Sequence, residues 1–140
     1  MVKMTINNNR KYDFILDVLL RYLKLETVYL FGSILTDRFN KNSDIDIAFI
    51  SDNEINNLEL YNIKCELEAG INYDVDLIDF VLAPATLKIQ ILKNKKIIYC
   101  NSNEKRLFYE MKALSEYQKL NDERKIVIES KFGKNAWMLL

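Results

Sequence analysis

"ETVYLFGSILTDRFNKNSDIDIAFI", residues Glu26 to Ile50, holds two apolar runs with a glycine turn and a polar stretch between them. The first run, Glu26 to Phe31, is β-branched and aromatic and stops at Gly32, which reads as a buried strand feeding a turn. Ile34 to Phe39 reads as one or two helical turns. The second run, Ile45 to Ile50, alternates, so that Ile45, Ile47 and Phe49 face one side and Asp44, Asp46 and Ala48 the other. Asp44 and Asp46 therefore project from one face, about 7 Å apart along an extended backbone. Two unpaired anions at that spacing repel, and a hard divalent cation removes the cost, because Mg²⁺ is commonly held by one or two carboxylates plus phosphate oxygens. Gly32-Ser33 supplies the complementary half. A glycine turn between a strand and a helical turn offers free N–H groups to a phosphate, lets it approach the backbone, and adds a hydroxyl donor. Taken singly, a D-x-D pair reads first as a turn cap beside a solvated carboxylate, and a Gly-Ser pair as a plain turn.

Outward from this stretch the chain alternates helices and strands. Lys11 to Leu23 carries Phe14, Ile15, Val18, Leu19 and Tyr22 at the spacing of an amphipathic helix. A helix from about Glu54 to Ala69 is expected to end at Gly70 as a left-handed cap. Tyr73 to Phe80 reads as a third strand, Pro84 opens a helix through Leu92, and Lys95 to Cys100 is a short fourth strand. Asn103 to about Ser130 is helical in period with a break expected near Asn121, and Leu107, Met111, Leu114 and Tyr117 lie on one side of it. The order predicts an α+β (mixed α/β) fold, a small four-stranded mixed sheet with helices packed on it, in a single domain over residues 1–140.

Composition narrows the function. Lys plus Arg and Asp plus Glu each number 20, so the chain lacks the positive field that drives non-specific nucleic-acid binding. The sequence contains no His, which excludes Ser-His and Cys-His nucleophile pairs, and Cys65 and Cys100 read as core thiols rather than metal ligands. No apolar run approaches the roughly 20 residues needed to span a bilayer, and the start, "MVKMTINNNRKYD", has no signal core; the expected location is the cytoplasm. Tyr22, Tyr29, Tyr109, Tyr117 and Trp137 fit helix or strand periodicity and read as core or partner-contact aromatics, and the apolar end Trp137 to Leu140 as a docking tail.

Joined, the two halves form G-S-x10-D-x-D, and the chain is thereby similar to the polymerase β-like nucleotidyltransferases, in particular the minimal, single-domain MNT type. With four fixed residues at about one in fifteen each, a chance match in a chain of this size is under about one per cent. The superfamily takes a third carboxylate from a neighbouring strand. In "YDVDLIDF", Asp76 matches the V-D-L-[IV] context; Asp74 shares its face and stays in reserve, whereas Asp79 points the other way. The "RLFYEMKALSEY" helix, Pro84 and the closing strand "KKIIYC" extend the resemblance to the MntA antitoxins of HEPN/MNT toxin–antitoxin pairs.

The resemblance implies a Mg²⁺-dependent protein adenylyltransferase that moves AMP from ATP to a tyrosine of a partner HEPN ribonuclease toxin (HepT-like). Asp44, Asp46 and Asp76 would hold two Mg²⁺ ions, and Gly32 and Ser33 the nucleotide. Two other outcomes stay open: transfer to a small-molecule hydroxyl of the aminoglycoside kind, and an antitoxin that acts by binding alone. One departure stands out. Many relatives carry Arg-Gly where this chain has Thr36-Asp37, so a phosphate-contacting cation is missing beside the turn, and Arg38 and Lys41 are the cations nearest in sequence.

Overall fold

The computed structural model describes residues 10–139, without the side chains of Trp137 and Leu139; the tail expectation therefore falls largely outside the described residues. The element order is α1 (Arg10–Tyr22), β1 (Leu25–Phe31), a 3₁₀ turn (Gly32–Leu35), β2 (Ile45–Ser51), α2 (Asn57–Ile71), β3 (Val75–Asp79), α3 (Ala85–Lys93), β4 (Lys96–Cys100), α4 (Asn103–Phe132) and a closing 3₁₀ turn (Ala136–Leu139). The strands form one sheet in the order β3-β2-β1-β4. β1 runs antiparallel to both β2 and β4, while β2 and β3 are parallel, so the sheet is mixed as expected. The parallel pair needs a crossover, and α2 provides it.

Each face of the sheet has its own core. Ile45, Ile47 and Phe49 of β2 are fully buried with Val28 and Leu30 of β1, under Ile15, Leu16, Val18 and Leu19 of α1 and Ile63, Leu67 and Ile71 of α2. Each such side chain contributes about 1.5–3 kcal/mol of transfer free energy. On the opposite face Tyr29, Ala48 and Ile50 pack with Phe80, Ile91 of α3 and Ala113 of α4. Alternation along β2 therefore sorts its residues as the pattern predicts, but both faces are covered.

Several local expectations change. α2 continues through Gly70, and the left-handed cap is Asn72 (φ 58°), whose side chain tolerates that conformation. Gly70 serves packing instead: a Cβ there would enter the ring of Phe14 on α1. Helical structure after the glycine turn is one short 3₁₀ segment that begins at Gly32, two residues earlier than expected, and ends at Leu35; Thr36 closes it by donating from its N–H (2.9 Å) and its hydroxyl (2.8 Å) to the Ser33 carbonyl. Pro84 sits just before α3 rather than inside its first turn. α4 runs unbroken past Asn121, because Asn alone in a helix lowers propensity without removing a hydrogen bond. Its apolar stripe also faces outward: Met111 is 68% exposed and Leu107, Phe108 and Leu114 are exposed, whereas Glu110 and Ala113 turn inward. Cys100 is buried and Cys65 only half-buried on α2. No described helix is long and apolar enough to cross a membrane.

Candidate active site

Strand register brings the predicted carboxylates to one end of the sheet. Asp46 is the second residue of β2 and stands opposite Phe31 at the end of β1 and opposite Asp76 of β3. Asp44 lies exposed just before β2. Burial pushes the Asp46 carboxyl up to about 6, with the charges of Asp76 and then Asp44 adding to the rise. Asp76 and Asp44 are thus close enough for the Asp46 carboxyl to sense their charges.

Gly32 is required here twice over. Its φ of +76° disfavours any other residue, and a Cβ would collide with the Asp46 carboxylate. The sequence suggests a glycine that admits a phosphate; the structure shows one that first admits the chain's own Asp46.

A cavity of about 630 Å³ opens above this junction, lined by Phe31, Gly32, Leu35, Thr36 and Asp46 on one side and by Gln90, Asn94 and Lys95 on the other. Gly32 and Asp46 therefore line it directly, whereas Asp44 and Asp76 flank Asp46, and Ser33 sits in the turn beside Gly32 without lining it. Asp74 is not part of this group: it precedes β3, its carbonyl accepts from the Ile45 N–H, and it lines a separate 280 Å³ recess with Lys41 and Asn42. Asp79 ends β3 at the far edge, where its carboxylate accepts from the Val81 N–H. Arg38 and Lys41 stay outside the large cavity.

Sequence reasoning missed Gln90, Asn94 and Lys95. They belong to the end of α3 and the turn into β4, a run "QILKNKK" with no motif to mark it, and only the sheet order β1-β4 brings that turn beside Gly32. Lys95 Nζ donates to Glu110 Oε1 (3.1 Å) of α4. The buried Glu110 also accepts from the Tyr29 hydroxyl (2.7 Å) and Arg106 (2.9 Å). Burial pulls its pKa up, yet the hydrogen bonds from Tyr29, Arg106 and Lys95 outweigh it and hold the carboxyl below its ordinary value. For Tyr29, burial first and then its bond to Glu110 push the phenol well up.

Among the described residues no three Asp, Glu, His or Cys side chains stand in a ready-made metal cluster. A Mg²⁺ site does not need one, since the ion usually keeps waters or substrate phosphates in most of its positions. The donor set fits: all oxygen, and with the Asp46 carboxyl raised by burial and then by the charges of Asp76 and Asp44, which a cation offsets.

The chain belongs to the family described as polymerase beta, nucleotidyltransferase, whose model matches residues 14–104, a span that contains the glycine turn and the carboxylates paired across β2 and β3. It is 32% identical over 113 residues, 81% of each chain, to the protein adenylyltransferase MntA of Shewanella oneidensis. A crystal structure of a toxin–antitoxin with AMP-PNP superposes with a TM-score of 0.77 at 29% identity, over 85% of this chain and 96% of that one. A structure of the tri-AMPylated Shewanella oneidensis HEPN toxin in complex with its MNT antitoxin gives a TM-score of 0.73 at 27% identity, over 86% and 95%.

Proposed function

We propose that this chain is a cytoplasmic, Mg²⁺-dependent protein adenylyltransferase that silences a partner HEPN ribonuclease by moving AMP from ATP onto a tyrosine hydroxyl. The observation that carries this reading is the strained Asp46, pressed between Asp76, Asp44 and Gly32 at the wall of a nucleotide-sized cavity. Its likeness to the Shewanella adenylyltransferase supplies the acceptor class. The exposed stripe of Leu107, Met111 and Leu114 on α4 supports life in an assembly.

In this reading Asp44, Asp46 and Asp76 would hold two Mg²⁺ ions, and the Gly32-Ser33 turn would receive the phosphates. When bound, the metal would supply charge neutralisation at the α-phosphoryl group and lower the pKa of the attacking hydroxyl. The carboxylates position; the acceptor oxygen bonds to the α-phosphorus, the α–β bridging P–O bond breaks, and pyrophosphate leaves with its electron pair. The hydroxyl proton passes to Asp76 or to water, as a metal-bound carboxylate is a weak base.

Incubating the purified chain with ATP labelled at the α-phosphate, Mg²⁺ and a lysate of its own cells tests this. Label on a protein band that tyrosine replacement removes supports the reading. Label on a small molecule replaces it with the antibiotic-type alternative, and inhibition of the ribonuclease without any label replaces it with neutralisation by contact.

A further inference from the structure

The nucleotide reading leaves a charge problem. A nucleoside triphosphate brings about four negative charges to a site that already holds Asp44, Asp46 and Asp76, and two magnesium ions offset only part of that total. On the turn side Thr36 lines the cavity, and Asp37, Arg38 and Lys41 do not. Across from the turn, Lys95 is the cation among the cavity's lining residues.

Lys95 is held for such a role. Its ammonium bonds Glu110 Oε1 at 3.1 Å, while Arg106, one turn earlier on α4, bonds Glu110 Oε2 at 2.9 Å. Tyr29 in the sheet donates to the same carboxylate at 2.7 Å. Two cations thus share one buried carboxylate, so the network keeps a positive surplus: Arg106 and Tyr29 both bond Oε2, and Lys95 alone meets Oε1. The Lys95 side chain remains one quarter exposed (25%). A lysine whose ammonium is held in place beside a cavity is a pre-positioned point charge suited to phosphate.

We propose that Lys95, presented from the turn before β4 and steadied by the Tyr29–Glu110–Arg106 network, binds the β- and γ-phosphates of the nucleotide. It takes the place that the missing cation beside the glycine turn leaves open. The inference rests on the nucleotidyltransferase reading of the cavity and deepens it. It also gives α4 a part in substrate binding, since Glu110 and Arg106 both belong to that helix.

The test is binding of a fluorescent non-hydrolysable ATP analogue and of fluorescent AMP to the full chain with Mg²⁺, for wild type, Lys95→Gln and Lys95→Arg. Lys95→Gln keeps a donor for Glu110 but removes the charge. It should weaken the triphosphate analogue about tenfold to a hundredfold, leave AMP affinity and the melting temperature nearly unchanged, and flatten the salt dependence; Lys95→Arg should restore most of the affinity. Equal binding of the triphosphate by wild type and Lys95→Gln overturns the assignment while the site survives. Parallel losses for AMP and triphosphate, with a lowered melting temperature, overturn it in favour of a structural ion pair. Absence of any nucleotide binding by the wild type defeats the functional reading itself.

Discussion

Beneath α1 and α2 the sheet presents Ile45, Ile47 and Phe49 to a closed, largely aliphatic core; one residue along the same strand, on the side of α3 and α4, it presents Asp46 to an open cavity. The first face has helices pressed so close that Gly70 must lack a side chain for Phe14 to fit. The second face carries Tyr29, Glu110, Arg106 and Lys95 in a hydrogen-bonded charge network beside its small core. Two glycines summarise the contrast: Gly70 makes room for a ring, and Gly32 makes room for a carboxylate. The alternation of a single strand lets one face supply stability while the other supports strain that stability must offset.

Substitutions on the two faces should therefore fail in different ways. Asp46→Asn removes the central carboxylate with little change of shape; transfer activity in a labelled-ATP assay should fall by about a thousandfold or more, equivalent to several kcal/mol of transition-state stabilisation, while the fold persists by circular dichroism. A variant with near-normal transfer would remove Asp46 from the machinery. Gly32→Ala should combine the two effects. A strained φ and a clash with Asp46 cost about 1–3 kcal/mol, read as a lowered denaturation midpoint, and displace the carboxylate enough to suppress transfer. Gly70→Val should lose about 1–3 kcal/mol through overpacking against Phe14 and yet bind nucleotide as wild type does. Impaired binding in that folded variant would break the separation of faces.

A pH series sharpens the same contrast. The Asp46 carboxyl is raised from 3.8 to about 6 in the folded, metal-free protein, so its neutral form is the one the fold favours. The stability linked to this group is fully present below about pH 4 and lost as pH rises through about 6. Wild type minus Asp46→Asn should accordingly show a stability difference that grows unfavourable to wild type across that window, and Mg²⁺ with nucleotide should reverse it at pH 7. A difference independent of pH would mean that Asp46 is not strained. The smallest effect is expected at Met111→Glu, which should change the urea midpoint by the equivalent of less than about 0.5 kcal/mol, because that side chain faces solvent.

Much of this was legible in the sequence, and the reasons differ by element. The element order and the shared face of Asp44 and Asp46 followed from hydrophobic periodicity, a local signal, whereas the choice of Asp76 came from the family resemblance, and strand register places it opposite Asp46. The Asn72 cap is not legible locally, because glycine is the residue best suited to a left-handed cap, and only the position of Phe14, more than fifty residues away, explains why Gly70 stands inside the helix. The stripe on α4 was visible as periodicity, but periodicity cannot say which stripe meets the sheet. Here the inward face is Glu110 and Ala113, made burial-tolerant by Tyr29, Arg106 and Lys95. Gln90, Asn94 and Lys95 could not be found from local pattern at all, because their role depends on β4 pairing with β1.

Paramagnetic relaxation by Mn²⁺ in place of Mg²⁺ tests the shared carboxylate site most directly. In the presence of a non-hydrolysable ATP analogue, sub-stoichiometric Mn²⁺ should broaden the amide resonances of Gly32, Asp44 to Asp46 and Asp76 most strongly, and Asp46→Asn should abolish that broadening whereas Asp74→Asn and Asp79→Asn leave it intact. Broadening centred on Asp74 or Asp79, or none at any carboxylate on β2 and β3, would contradict a metal site built on the pairing of Asp46 with Asp76.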